Sequence, residues 1–351
     1  MAVLADGHLD FHFGKTAMGI LRYRTDEVVA LIDGSNAGKT TGEVVGLGGS
    51  TPIVSTLDAA MHHRPDTLLI GVATRGGMLP PEWRRVVLQA IRAGLTVVSG
   101  LHQFLADDPE LATAAADAGT DLVDVRKPPT LTEVATGQSH RSASTVITFV
   151  GSDCAVGKMS VALDIEREAK DRGTDAVFLA TGQTGMMIAG NGVPLDRVVG
   201  DFMAGAIEQE VLRASEKHDI VLVEGQGSLL HPAYSGVTLA LIHGSQPDAM
   251  ILTVMPARDY IEDYTVDIPS ALELIEMHEA AAGWIHPAAV IGVAVNTLGL
   301  SETAARATVA SIGAETALPA TDTFRFGAGP LVEAVVDFHR GRIDHQSMSD
   351  S

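Results

Sequence analysis

Short apolar runs rich in β-branched residues, each followed by a stretch of helical spacing, limit this chain to a narrow choice of folds. Between Asp26 and Val125 the runs are "EVVALID", "DTLLIGVA", "TVVSG" and "DLVDV", separated by "TLDAAMHH", "PEWRRVVLQAIRAG" and "PELATAAADAG". Continuous apolar runs are strands covered on both faces, and a helix between each pair returns the chain for parallel pairing. The rhythm predicts a parallel α/β domain over residues 1–126. A polar segment with a Pro pair, "RKPPTLTEVATGQSHRSAS", then reads as a linker or extended crossing segment over 127–144. The alternation restarts with "TVITFVG", "DAVFLATG", "DIVLVEGQG", "DAMILTVMP" and "AAVIGVAVN", with helices expected at 158–172, 201–217 and 267–282. This predicts a second doubly wound α/β domain over 145–345. No repeat of 20–50 residues is visible, which excludes a solenoid, and the polar end "RGRIDHQSMSDS" is expected to fray.

At 351 residues with 46% hydrophobic content, the chain can bury two cores. A net charge of −20, with no basic cluster, argues against a nucleic-acid partner, because neutralising phosphates takes grouped Lys and Arg. The start "MAVLADGHLD" lacks a basic flank and apolar core, and the most apolar window is interrupted by His286, Pro287 and Asn296. No membrane partner and a cytoplasmic location are therefore expected. The single cysteine, Cys154, excludes an intramolecular disulfide and fits a reducing compartment.

The stretch "TVITFVGSDCAVGKMSVALDIEREA" (145–169) passes from strand through a glycine-bounded loop into a helix. Backbone N–H groups in such a turn point at an anion, and Lys158 adds a positive charge. The expected anion cradle comprises Gly151, Ser152, Asp153, Cys154, Ala155, Val156, Gly157, Lys158, Met159 and Ser160. Five residues separate its glycines, rather than the usual four, and Met159 stands where a magnesium-holding hydroxyl is customary. No metal is expected here. Cys154, at a helix start, is either a reactive thiol or a small loop-filling residue. A lookalike string, "LIDGSNAGKTTGEV", has only three residues between Gly34 and Gly38, so Lys39 and Thr40 belong to a turn or a weak anion contact.

Other polar residues gather at the expected strand ends, where α/β sheets collect ligands. Glu224 and His231 in "LVEGQGSLLHPAYSG" are candidate general bases, with a helix cap and a buried histidine as the bland alternatives. Asp201, before a helical pattern, is either an N-cap or a substrate contact, and it is the third candidate base. Gln183 and Thr184 in "ATGQTG" suit a turn or a substrate contact. Arg75 and Arg258 are the candidate partners for a substrate carboxylate. His62 and His63 complement a helix end, and no histidine spacing suggests a metal site.

The strings "GSDCAVGK", "ATGQTG" and "VEGQGS" resemble the dethiobiotin-synthetase type of P-loop fold. Over the whole chain, "AGKTTGEV", "GSDCAVGKMS", "GQTGMM", "DFMAGAIE", "EGQGSLLHPAYSG" and "HGSQPD" resemble a bacterial and archaeal family long labelled as of unknown function. That family pairs a Rossmann-like N-terminal domain with a P-loop NTPase-like C-terminal domain. The resemblance implies D-glutamate N-acetyltransferase activity in D-amino-acid catabolism. Acetyl-CoA would be the co-substrate, with the coenzyme A phosphates as the anion in the 151–160 loop, and a small amino acid would be the partner. A homo-oligomer is expected. An ATP- and Mg-dependent ligase or kinase is the competing enzyme class, and a nucleotide-sensing scaffold without turnover is a third.

Overall fold

A computed structural model describes residues 1–9, 14–130 and 133–349. The chain divides into two compact units, Met1–Pro129 with Gln183–Gly190, and Thr130–Gly182 with Asn191–Ser351. Among the described residues no helix is long and apolar enough to cross a membrane.

The first unit is built on six parallel strands: β1 (Ala2–Leu4), β2 (Ala30–Ile32), β3 (Ile53–Val54), β4 (Thr67–Ile70), β5 (Thr96–Ser99) and β6 (Leu122–Asp124). Their order, β3-β2-β1-β4-β5-β6, is the Rossmann order. β1 is central and wholly buried, although its three residues are too few to show a period in the sequence. The helix Gln183–Ala189, read from sequence as part of the second half, completes this unit instead. Its Met187 joins the unit's core, Gln183 Nε2 donates to Thr16 Oγ1 at 2.8 Å, and Arg24 donates to the Met187 carbonyl at 2.6 Å. Gly100 makes room for it, since a Cβ there would lie 1.7 Å from Gln183 Oε1.

The second unit also has six parallel strands: β7 (Thr145–Gly151), β8 (Ala176–Leu179), β9 (Ile220–Val223), β10 (Ala249–Val254), β11 (Ala289–Val295) and β12 (Ala320–Thr321). The order β12-β11-β10-β7-β9-β8 reverses direction at β7, so the crevice at its C-terminal end is where such a sheet collects ligands. The helix Lys158–Asp171 follows, burying Val161, Ala162, Ile165 and Ala169 along one stripe. The expected helices over 201–217 and 267–282 are observed as Met203–Ser215 and Ala271–Gly283.

The polar segment before β7 is held at several points. Buried Glu208 accepts the Thr136 N–H at 2.6 Å and the Gln138 N–H, and Ser139 Oγ donates to the Gly244 carbonyl at 2.7 Å. The C-terminal stretch expected to fray is instead helical to Ser349 within Gly329–Ser349. Arg342 anchors it, pairing with Asp248 at 3.0 Å and donating to the Ser142 and Ala143 carbonyls.

Two stability predictions arise from these contacts. Gly100→Ala must displace Gln183, so urea unfolding should show a loss of about 1–3 kcal/mol, whereas Gly341→Ala, with open space around it, should be near neutral. His278 is fully buried: Nδ1 donates to the Leu274 carbonyl at 2.7 Å and Nε2 has no partner among the described residues. Burial pulls its pKa from 6.5 down to about 4. The unfolded chain therefore takes up a proton that the native one refuses. Stability is intact above pH 6.5 and should fall as pH drops towards about 4, by about 3 kcal/mol. His278→Leu should flatten that acid limb in pH-dependent unfolding.

Candidate functional site

β7 ends at Gly151, paired with Thr253 of β10, and the Ser152 N–H donates to the Thr253 carbonyl at 2.9 Å. The next residue is the tie-point of the loop. Asp153 is fully buried; one carboxylate oxygen accepts the Cys154 N–H at 2.6 Å, while the other accepts the Glu262 N–H at 2.8 Å and Arg258 Nη1 at 2.7 Å. Arg258 also donates to the Cys154 carbonyl at 3.0 Å. Beyond it, Ala155 (φ 54°) and Gly157 (φ 113°) take left-handed conformations, which turn successive N–H groups towards one concave side.

Lys158 opens the helix but points its ammonium back across the loop. Nζ donates to the carbonyls of Asp153 at 2.7 Å and Gly227 at 2.8 Å. Burial pulls the ammonium down to about 8, opposed by the charges of Cys154, Asp153 and Glu224. Met159 follows in the first helical turn and carries no oxygen for a hard cation.

Glu224 emerges from β9 with its side chain buried. One carboxylate oxygen accepts the Thr181 N–H at 2.7 Å and the Gly182 N–H at 3.1 Å. Burial pushes the carboxyl up to about 7, against the pull of those two N–H groups and of Lys158. It therefore exchanges a proton near neutrality. Gly225 explains how the strand end comes so close: a Cβ there would stand 1.8 Å from the Phe149 carbonyl of β7 and 2.8 Å from Lys158 Cδ. Only glycine fits.

The same turn runs on through Ser228, which donates to the Ser152 carbonyl at 3.0 Å, to His231. His231 is buried beneath Tyr234 and Tyr264, at centroid distances of 4.5 and 5.1 Å. Its Nδ1 accepts the Ala233 N–H at 3.1 Å, which puts the proton of the neutral ring on Nε2. The lone pair a base needs is already engaged, so of the two candidates in this turn Glu224 is the better proton acceptor. A ring nitrogen of His231, the Cys154 sulfur and an Asp153 oxygen all lie within 4.8 Å of one another. These are metal-ligating atom types. However, Asp153 already accepts three donors, and the nearby Lys158 and Arg258 cations make the cluster a better host for negative charge than for a divalent cation.

Glu224, His231, Arg258 and the 151–160 loop are thus brought together within the second unit. Arg258 braces the loop through Asp153. Asp201 lies exposed in the short turn Gly200–Phe202, and the helix that follows has no side-chain cap, so Asp201 does not perform the capping considered for it. Gln183 and Thr184 lie in the first unit, where both side chains bond Thr16. Arg75 begins the turn Arg75–Gly77 of that unit, and its side chain lies outside the described residues. The Gly34–Thr40 string is turn chemistry: buried Asp33 caps the turn Gly34–Asn36, and Thr40 forms a capping box with Glu43.

Sequence reasoning gave no role to Ser228, Thr181, Tyr234 or Tyr264. A compositional signal existed for the tyrosines, since three of the chain's four, Tyr234, Tyr260 and Tyr264, fall within 31 residues. It also passed over Gly14-Lys15-Thr16, which opens the helix Lys15–Tyr23 after β1.

Comparison with known proteins places this geometry in a lineage. Residues 34–128 match the Rossmann-like N-terminal domain, and residues 133–332 the P-loop C-terminal domain, of DUF1611, a domain of unknown function. A protein of Tritonibacter scottomollicae called D-glutamate N-acetyltransferase is 41% identical over 93% of this chain and 95% of its own. One of the same name from Pseudoalteromonas is 38% identical over 76% and 80%. A DUF1611 protein of Anabaena variabilis, solved as a crystal structure, superposes with a TM-score of 0.90 at 41% identity, over 96% of this chain and 98% of that one. The chain belongs to the DUF1611 family.

Proposed function

We propose that this protein is a cytoplasmic N-acetyltransferase, moving the acetyl group of acetyl-CoA to the amino group of D-glutamate or a related amino acid in D-amino-acid breakdown. The activity for which the two relatives are named supports an acyltransferase. The observation that carries the chemistry is Glu224, a buried carboxyl poised near pH 7 beside a glycine-lined loop and a buried ammonium. An amine attacking a thioester sheds a proton, and Glu224 accepts it. Lys158 and the loop N–H groups face the negative charge that develops on the thioester oxygen.

This reading decides which end of coenzyme A meets the loop. The phosphates and the thioester lie at opposite ends of the pantetheine arm, whereas Glu224 and the loop share Lys158. One compact cluster serves one end. With Glu224 as base, the 151–160 loop receives the acetyl end rather than the phosphates, and Arg258, braced on Asp153, is the nearby cation for the acceptor's carboxylates.

Acetylation of D-glutamate should rise with pH through about 7, as Glu224 ionises. Glu224→Gln should remove that limb and lower turnover by roughly 10²–10⁴-fold with CoA affinity intact. Lys158→Ala should likewise lower turnover more than CoA affinity; selective loss of CoA binding would return the phosphates to the loop. Mg²⁺-dependent ATP turnover without acetyl transfer would overturn the reading altogether.

A further inference from the structure

The geometry points to Cys154 as a nucleophile that carries the acetyl group between coenzyme A and the amino acid. The inference rests on the acetyl-transfer reading above and adds a covalent intermediate to it. Cys154 is partly exposed, unlike its fully buried neighbours Ser152 and Asp153. A ring nitrogen of His231 and a carboxylate oxygen of Asp153 lie within 4.8 Å of its sulfur. The surroundings suit a thiolate: the residue sits before the first turn of a 14-residue helix, Lys158 bears on it electrostatically, and Arg258 binds its carbonyl. Two buried hydroxyls at the paired ends of β7 and β10, Ser152 Oγ and Thr253 Oγ1, have no partner among the described residues. Buried polar atoms of this kind await a partner, and a bound polar group would supply one.

The steps balance without an added reagent. The Cys154 thiolate attacks the thioester carbonyl carbon, a carbon–sulfur bond forms, and the tetrahedral oxyanion collapses. The bond to coenzyme A breaks, its electron pair leaving on the coenzyme A sulfur. The neutral amine then attacks the acetyl-cysteine carbonyl carbon. The second carbon–sulfur bond breaks back onto Cys154, the amine proton passes to Glu224, and the thiolate is restored. His231, whose Nδ1 is engaged by Ala233, holds its proton on Nε2 and serves as a donor rather than as the base.

The test is to incubate the full-length protein with acetyl-CoA and labelled CoA in the absence of amino acid. The relay predicts exchange of label into acetyl-CoA, an acetyl adduct mapped to Cys154 by mass spectrometry, and discharge of that adduct on adding D-glutamate. Cys154→Ala and Cys154→Ser, checked for unchanged thermal unfolding, should lose exchange and drop turnover roughly a thousandfold or more. Acetylation of D-glutamate by wild type without exchange or adduct would overturn the relay while leaving the transferase reading in place. Turnover within about tenfold of wild type in Cys154→Ala would overturn it equally. Exchange and adduct with no discharge by D-glutamate would instead uphold the thiol chemistry and sink the proposed acceptor.

Discussion

Taking an ammonium out of water costs several kcal/mol unless its surroundings replace the lost hydration, and the second unit is organised around meeting that need for Lys158. Its side chain is buried, and its Nζ reaches two main-chain carbonyls from segments far apart in sequence, at Asp153 and Gly227. The residues that oppose its desolvation, Cys154, Asp153 and Glu224, are also those with chemistry to offer. Geometry depends on the same contact. β9 approaches β7 closely enough only because Gly225 has no side chain to strike the Phe149 carbonyl, and Gly225 also lies against the lysine stem. A substitution there would separate the carboxyl from the ammonium as well as the strands.

Much of this was legible in the sequence, and the reasons for the gaps are physical. Long apolar runs announced β7, β9, β10 and β11, because strands buried on both faces need unbroken apolar sequence. β1, β3 and β12 are too short to leave a period. The loop at 151–158 and the strand-end Glu224 were readable because backbone demands fix their glycines. Residues whose role depends on a distant partner were not. Glu208 is an example: it gathers the Thr136 and Gln138 N–H groups from a segment about 70 residues earlier, which no local pattern shows. Gln183 and Thr184 stood beside a strand end in sequence but belong to the first unit's packing with Thr16. Arg258 was noticed for its charge, whereas its first partner is the protein's own Asp153.

The sharpest case is His231. The sequence offered it as a candidate general base, yet one main-chain N–H, that of Ala233, changes what the ring can do. A neutral imidazole has one acceptor nitrogen, and a base must offer it to the substrate. With that nitrogen engaged, the proposed proton removal falls to Glu224, to which burial gives a proton affinity that a surface carboxylate lacks. Two candidate bases in one turn thus separate into an acceptor and a donor through their local hydrogen bonds.

The same electrostatics bear on why a phosphate-cradle architecture would suit the proposed thioester chemistry. A phosphoryl-transfer site commonly supplies a hard cation to neutralise charge on several oxygens, and it needs hard oxygen ligands to hold one. Here Met159 follows the lysine, and Asp153 is already committed to Arg258 and two N–H groups. A thioester makes a smaller demand, since a single oxygen becomes negative and the leaving thiolate is stable in its own right. Preorganised N–H groups and one nearby ammonium meet it. Burial lowers the proton affinity of Lys158 and raises that of Glu224, so it moves both groups towards neutrality. Any anion entering the loop favours the charged lysine and disfavours the ionised carboxylate. Under the proposed transfer, the oxyanion would therefore strengthen its own electrostatic partner as it forms, and it would raise the proton affinity of Glu224 at the moment the amine has a proton to give.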